Sequence, residues 1–500
     1  MKIFNQIKLD KESSSQHLYI QLYKALKDMI LEGTLKKGDR LPPIRKLSDF
    51  LEVNNVTVVS AYRILEEEGL VYKRIGSGTY VAADSYEKES IKNYSQELME
   101  DDYNQAPMID QGHIQLEEDM INFASATPSP NLFPVDDFKK VLNEVLDRDK
   151  GLAFGYQESQ GYYPLRVALK EYISIYDIHT EENNIQIISG AQQGIDIIAK
   201  GMLNYGDYVL IESPSYTGAM AVFQSRGAKI IDIPLEDDGL NLESLEKKII
   251  TYQPKFLYIM PNFQNPTGIS YSLQKKSKII KIAEKYNLLI VEDDYLSDLN
   301  FYADDNKTLK SLDKNDLVIY IKSFSKIFMP GLRLGFLVVP KALSEEVLMA
   351  KHATDISTSG LLQRALQLYL QKGIWKQHIR YMEEQYRERF EIMTKCIVEF
   401  MPENVEYTLP KGGVNFWLKL PDGLSSKELY EIAVKENIVF APGNLFFLNN
   451  KNTSYFRLSM AAVDNKEIEY GIKKLSSLIN NLLKPKNKGY IQPNQYTPIL

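Results

Sequence analysis

The chain has 500 residues, 44 % apolar and 25 % charged, which is the usage of an ordinary globular protein and room for about three structural units. No apolar run reaches the ~18 residues of a membrane helix, and MKIFNQIKLD at the N-terminus lacks a signal-peptide core, so a cytoplasmic protein with no membrane role is expected. The single cysteine, Cys396, excludes an intrachain disulfide and a cysteine metal cluster, the five histidines are scattered, and a net charge of −7 argues against a wholly basic nucleic-acid binder.

That net charge hides an asymmetry. Residues 1–82 hold 13 Lys/Arg and 10 Asp/Glu, a net of +3, whereas residues 83–120 hold 2 and 11, a net of −9. In the first segment, His17 to Glu32 repeats apolar residues at a helical period (Leu18, Leu22, Leu26, Met29, Ile30), and Gly33 can close that helix. After Pro42-Pro43, Arg45–Leu51 has room for two helical turns. Asn54 and Asn55 are N-cap candidates for a further helix over Val56–Glu67. Val71–Arg74 and Thr79–Ala82 read as two short strands around Ile75-Gly76-Ser77-Gly78. Helix, turn, helix and hairpin is an arrangement that docks its second helix in the DNA major groove.

The stretch LPPIRKLSDFLEVNNVTVVSAYRILEEEGLV followed by KRIGSGTYV resembles the DNA-binding domain of the GntR regulators. The resemblance implies a winged helix-turn-helix that contacts double-stranded DNA through Arg45, Asn54, Asn55, Thr57, Arg63, Lys73, Arg74 and Gly78. Asn suits a base edge, while Thr and Arg suit phosphate.

Residues 83–120 are acidic and poor in branched apolar residues, and read as a linker with an r.m.s. span of roughly 35 Å or more. From Ile121 strand-like runs alternate with helical patterns. The strands are expected at Ile185–Ser189, Val209–Ile211, Lys229–Ile233, Phe256–Met260, Leu288–Val291 and Val318–Ile321, with helices such as Gly194–Leu203 and Leu273–Tyr286 between them. This alternation predicts a parallel α/β sheet with functional loops at the strand ends. Residues 485–500 read as a disordered tail.

Four of those loops carry chemistry. Ser189-Gly190-Ala191-Gln192-Gln193-Gly194 follows a strand and opens a helix, which lets backbone amides approach a phosphate. Pro261-Asn262-Phe263-Gln264-Asn265-Pro266-Thr267-Gly268 is a rigid turn that presents an Asn amide. Val291-Glu292-Asp293-Asp294-Tyr295 ends an apolar strand on three acids, which is costly unless they serve a cation. Ser323-Phe324-Ser325-Lys326 places a lysine beside two hydroxyls, with Arg333 seven residues on.

In order, spacing and strand-end placement these loops resemble the fold-type I aminotransferases that use pyridoxal 5'-phosphate, over residues 121–484. The resemblance implies a large mixed or parallel sheet domain and a smaller C-terminal α/β subdomain. It makes Lys326 the amine that holds the cofactor aldehyde and Asp293 the carboxylate under the ring nitrogen, with Asp294 as a substitute. Asn265 and Tyr295 would bond the ring hydroxyl, and Tyr216 would stack on the ring. The Ala191 and Gln192 amides, Ser323 and Arg333 would hold the phosphate. Arg457, in Ser454-Tyr455-Phe456-Arg457-Leu458-Ser459, would clamp a substrate or effector carboxylate. Phe154-Gly155-Tyr156 resembles the loop that sends a tyrosine, here Tyr156, into the neighbouring subunit's phosphate site, which implies a homodimer.

A GntR-type winged helix joined to an aminotransferase-like domain resembles the MocR regulators. The resemblance implies a transcription regulator that binds pyridoxal phosphate and an amino-acid or pyridoxal-phosphate effector. A working aminotransferase is the alternative, because Lys326, Asp293, Tyr295, Asn265 and Arg457 are all present. The basic residues Arg45, Arg63, Lys73 and Arg74 favour the regulator.

Overall fold

The structure, a computed structural model, describes residues 3–4, 7, 9, 18–36, 38–67, 70–74, 78–81, 120–303, 306–448 and 454–484. The linker read over 83–120 lies almost wholly outside the described residues, and the tail read over 485–500 lies wholly outside them. The chain divides into two compact units, Met1–Met108 and Ile109–Leu500.

In the first unit, three helices, Leu18–Leu31, Ile44–Leu51 and Asn55–Glu67, precede the antiparallel strands Val71–Arg74 and Gly78–Val81. The helical period read in the sequence becomes the buried face Leu22, Leu26, Met29 and Ile30. These side chains pack on Leu47, Val58, Ala61, Tyr62 and Leu65. Each fully buried Leu contributes about 1.5–3 kcal/mol. Tyr62 donates its hydroxyl to the Pro42 carbonyl at 2.8 Å, which ties the last helix to the entry of the second. Gly33 has a φ of +74°, the left-handed geometry that ends the first helix.

The second unit is built on an eight-stranded sheet in the order Ile185–Ile188, Gly335–Val338, Val318–Ser323, Leu289–Asp294, Phe256–Ile259, Tyr208–Ser213, Lys229–Glu236, Gly239–Leu240. All six strands expected from the sequence are present. The sheet is mixed rather than wholly parallel. Gly335–Val338 runs antiparallel to both neighbours, Val318–Ser323 and Ile185–Ile188, and Gly239–Leu240 turns back on Lys229–Glu236. A hairpin return needs only a short connection, and the loop holding Lys326 and Arg333 provides one. The central strands are buried along their whole length, as in Phe256–Ile259 and Val318–Ser323. That is why they read as unbroken apolar runs rather than alternating ones.

A smaller subdomain follows the 27-residue helix Ile374–Phe400. Its sheet orders Glu406–Tyr407, Asn415–Lys419, Tyr455–Ser459 and Ala441–Pro442, all antiparallel. The helix Asn465–Leu483 opens on a capping box between Asp464 and Glu467. No helix among the described residues is long and apolar enough to cross a membrane.

Candidate functional site

The carboxyl ends of four parallel strands carry the loops that hold Ala191, Gln192, Asn265, Asp293, Tyr295, Ser323, Lys326 and Arg333, the usual ligand position of an open α/β sheet. Asp293 is near the end of Leu289–Asp294, and its Oδ2 accepts the Tyr258 hydroxyl at 2.6 Å. Its Oδ1 is buried with no hydrogen-bond partner among the described residues. Burial pushes this carboxyl up to about 6; Tyr258 and the Lys322 and Lys326 ammonium groups pull it back, while Asp294 adds to the rise. Lys326 therefore sits within electrostatic reach of Asp293, half-buried in the loop after Val318–Ser323.

The next strand end supplies the Asn265 amide, whose Oδ1 accepts from Arg457 Nη1 at 2.6 Å. Arg457 is 1 % exposed, donates also to the Ala124 carbonyl at 2.5 Å, and lies 5.1 Å from the Phe446 ring centroid. Tyr295 donates to the Phe263 carbonyl at 2.6 Å and accepts from Asn415 Nδ2 at 3.1 Å. Tyr216 caps the helix Thr217–Ser225 and donates to Gln192 Oε1 at 3.1 Å.

The loop expected to hold phosphate forms a cradle of small residues and backbone. The helix Ala191–Met202 begins at Gly190, which has a φ of +89° and contributes no side-chain cap, so the first amides point outward. Arg333 closes over it, donating to the Ser189 carbonyl at 2.9 Å and to Ser325 Oγ at 3.5 Å. A Cβ on Gly190 would lie 2.5 Å from Arg333 Nη2, so only glycine admits the arginine here. Ser323 is buried, its Oγ accepting the Ser325 amide at 3.2 Å. Ser325, beside Arg333, is an additional hydroxyl that sequence reading did not assign to the phosphate. Tyr156 stands apart from all of these, 85 % exposed, in a loop that also presents Leu152 and Phe154.

Three participants escaped sequence reading. Tyr258, the partner of Asp293, lies within an apolar strand and gives no pattern signal. Lys322, buried in Val318–Ser323, pairs with Asp294 at 3.1 Å. Asn415 comes from the small subdomain, 120 residues from Tyr295 in sequence. A cavity of about 1170 Å³ is lined by Tyr172, Tyr176, Asp298 and Trp375. None of the predicted site residues lines it.

In the first unit Arg45, Asn54, Asn55, Arg63 and Gly78 are exposed and Thr57 is half-buried. The last helix begins at Asn55, one residue earlier than read. Asn54 Oδ1 accepts the Val56 amide at 3.1 Å, so Asn54 caps it, while Asn55 Oδ1 accepts from Ser48 Oγ at 2.7 Å. Both amide oxygens thus already serve the fold. The backbone of Lys73 and Arg74 is described as strand, but their side chains lie outside the described residues.

Residues 118–475 match the family aminotransferase class I and II, and residues 18–81 match the gntR family of bacterial regulatory proteins. The chain belongs to the class I and II aminotransferase family, fused to a gntR-family DNA-binding domain. A relative described as the uncharacterized HTH-type transcriptional regulator YdfD of Bacillus subtilis is 31 % identical over 95 % of this chain and 98 % of its own. The aromatic-amino-acid aminotransferase 1 of Thermococcus litoralis is 32 % identical over 73 % of this chain and 89 % of its own length. Among solved structures, the Thermus thermophilus α-aminoadipate aminotransferase LysN, complexed with N-(5'-phosphopyridoxyl)-L-leucine, superposes with a TM-score of 0.71 at 33 % identity. It covers 78 % of this chain and 99 % of that one.

The cofactor of this aminotransferase-family regulator is pyridoxal phosphate, and the residues fit it. The orphaned Asp293 Oδ1 is an acceptor waiting for a cationic donor, and the Gly190–Arg333 cradle offers amides and a guanidinium to a dianion. When bound, the cofactor supplies an aldehyde for an amine and a ring that withdraws electrons from it. The chain's own groups bind and orient. Asp293 would keep a proton on the ring nitrogen, the bonded Arg457 and Asn265 would present a polar wall, and Arg333 would neutralise the phosphate. A protonated ring needs an ionised Asp293. Cofactor affinity is therefore full above about pH 6 and weakens as pH falls through it, measurable as a dissociation constant titrated by fluorescence.

Proposed function

We propose that this protein is a DNA-binding transcription regulator of the MocR type, in which pyridoxal phosphate and an amino-carboxylate effector at the Lys326–Arg457 site modulate operator binding. The observation that carries this reading is the match to a regulator-named relative over 95 % of the chain, which spans both units rather than the enzyme-like one alone. A second regulator-named relative, NorG of Staphylococcus aureus, matches over 89 % of the chain. DNA-protein docking of this kind takes place in the cytoplasm, the compartment expected from the sequence.

In this reading residues 1–82 form the DNA-binding domain, 83–120 the linker and 121–484 the cofactor domain. The helix Asn55–Glu67 enters the major groove, and Gly78 belongs to the wing. Asn54 and Asn55 spend their oxygens on Val56 and Ser48, so they offer the groove chiefly their Nδ2 donors. Val56 and Val59, 66 % and 45 % exposed, offer methyl groups to thymine. Arg45, Thr57, Arg63, Lys73 and Arg74 serve phosphates. The exposed Leu152, Phe154 and Tyr156 support a homodimer, since such side chains in one loop gain by burial against a second copy. Tyr156 then completes the partner's phosphate cradle.

Electrophoretic or fluorescence titration of the DNA flanking the gene tests the reading. Arg63→Ala should weaken all sequences alike and flatten the salt dependence by about one unit. Asn55→Ala should instead change sequence preference. An Arg63→Ala variant that alters preference but keeps the salt slope contradicts the assigned docking. Arg457→Ala should abolish the response to amino acids while sparing cofactor binding, read by absorbance on the same samples.

Working transamination is the second reading. It is favoured by Asp293 within electrostatic reach of Lys326, by the Arg457–Asn265 pair, and by aminotransferases among the relatives.

A further inference from the structure

Three carboxylates in a row end the strand Leu289–Asp294. Strand alternation sends Glu292 and Asp294 to one face and Asp293 to the other. Each is satisfied differently. Glu292 accepts the Leu309 and Lys310 amides at 2.7 and 2.8 Å. Asp294 accepts the Tyr320 hydroxyl at 2.5 Å and the Ser297 amide at 2.9 Å, and pairs with Lys322. Asp293 has Tyr258 on one oxygen only.

Lys322 lies in register with Asp294 on the neighbouring strand and is 0 % exposed. Its ammonium also meets Asp298 at 2.7 Å and lies 5.1 Å from the Tyr176 ring centroid. Asp298 is itself held by the hydroxyls of Tyr172 and Tyr176, at 2.6 and 2.5 Å. A lysine in the middle of a buried sheet persists only with partners of this quality. Two carboxylates are spent on one ammonium, on the face of the strand away from Asp293.

We propose that Lys322 is a positioning residue of the cofactor site. By holding Asp294 and Asp298 as its two counter-ions behind the sheet, it leaves Asp293 as the one carboxylate of the strand end whose charge is available to the cofactor's ring nitrogen. The proposal rests on the pyridoxal phosphate assignment above. The charged and titratable groups around Asp293 are Tyr258 from the adjoining strand Phe256–Ile259, Glu212 from the strand beyond it, Lys326 from the loop, and Asp294 and Lys322 behind. Removing the ammonium exposes Asp293 to an uncompensated Asp294 and disfavours its ionisation. Removing the Asp294 charge instead leaves more of the ammonium's field for Asp293 and favours it.

The experiment is the dissociation constant of pyridoxal phosphate for the full chain, measured from about pH 5 to about pH 9. Lys322→Met should raise the midpoint of its pH dependence by about one unit or more, and Asp294→Asn should lower it. Lys322→Arg, which keeps the charge, should leave it near the wild-type value. A merely structural lysine would lower the melting temperature in Lys322→Met with the midpoint unmoved, and that result would overturn the proposal. Should Lys322→Met fail to fold, Asp294→Asn decides alone, and an unmoved or raised midpoint counts against it. Wild-type protein that shows no saturable cofactor binding would instead overturn the cofactor assignment.

Discussion

Lys326→Ala should lose every trace of cofactor absorbance that borohydride fixes to the protein, while the fold survives. The half-buried side chain stands in a loop rather than in the core, so its truncation removes an amine and little packing. Around it, the Tyr258–Asp293 and Arg457–Asn265 bonds and the Arg333 bond to the Ser189 carbonyl should persist, since their atoms belong to other residues. Residual non-covalent binding should persist, held by the Gly190–Arg333 cradle and by Asp293. The readout is the visible spectrum and the mass of the borohydride-treated protein against the wild type. A fixed adduct in the variant would move the reactive amine to another lysine.

Asp293 and Asp294 are adjacent, equally buried and chemically alike, yet their alanine variants should fail in different ways. Asp293→Ala should weaken pyridoxal phosphate by ~100-fold, the equivalent of losing about 3 kcal/mol with one partner of a buried ion pair, and cost less stability than Asp294→Ala. In the cofactor-free protein it removes the unpaired Oδ1 but leaves the buried Tyr258 hydroxyl without its acceptor, a cost of about 1–3 kcal/mol. Asp294→Ala should cost about 3–5 kcal/mol of folding free energy, because it strips Lys322, Tyr320 and the Ser297 amide of their acceptor. Thermal melts with and without cofactor separate the two. A lower melting temperature for cofactor-free Asp293→Ala than for Asp294→Ala would mean that the two carboxylates have exchanged roles, and equal values would contradict the division.

That division of labour was only half legible in the sequence. Three acids at the end of an apolar strand announced a cation, but two cations answer them. One, in the proposed reading, is the cofactor's ring, expected from Lys326. The other is Lys322, which sits in an apolar run where residue spacing predicts nothing charged. The same blindness hid Tyr258 and Asn415, since partners brought together by sheet register or by the small subdomain leave no local trace. What the sequence does encode well is local. Strand-end loops with Gly, Asn or Ser-x-Ser-Lys carry their geometry in four to eight residues, and all lie at the carboxyl ends of parallel strands of one sheet. The mixed sheet was not legible from alternation, because a return strand such as Gly335–Val338 is as apolar as a parallel one. In the first unit, Asn54 and Asn55 were both read as caps. The structure gives that work to Asn54 and turns Asn55 onto Ser48, a choice settled by packing between two helices rather than by either residue.

The central claim is that chemistry at Lys326 and Arg457 is read out on DNA. Its most direct test is one set of samples carrying operator DNA, pyridoxal phosphate and a panel of amino acids, followed at once for cofactor spectrum, keto-acid formation and DNA affinity. A regulator should show an amino acid that changes the cofactor spectrum and shifts operator affinity by about 5- to 150-fold, a coupling of about 1–3 kcal/mol, with little or no keto acid formed. Steady transamination with operator affinity indifferent to every amine would contradict it and make the protein an enzyme.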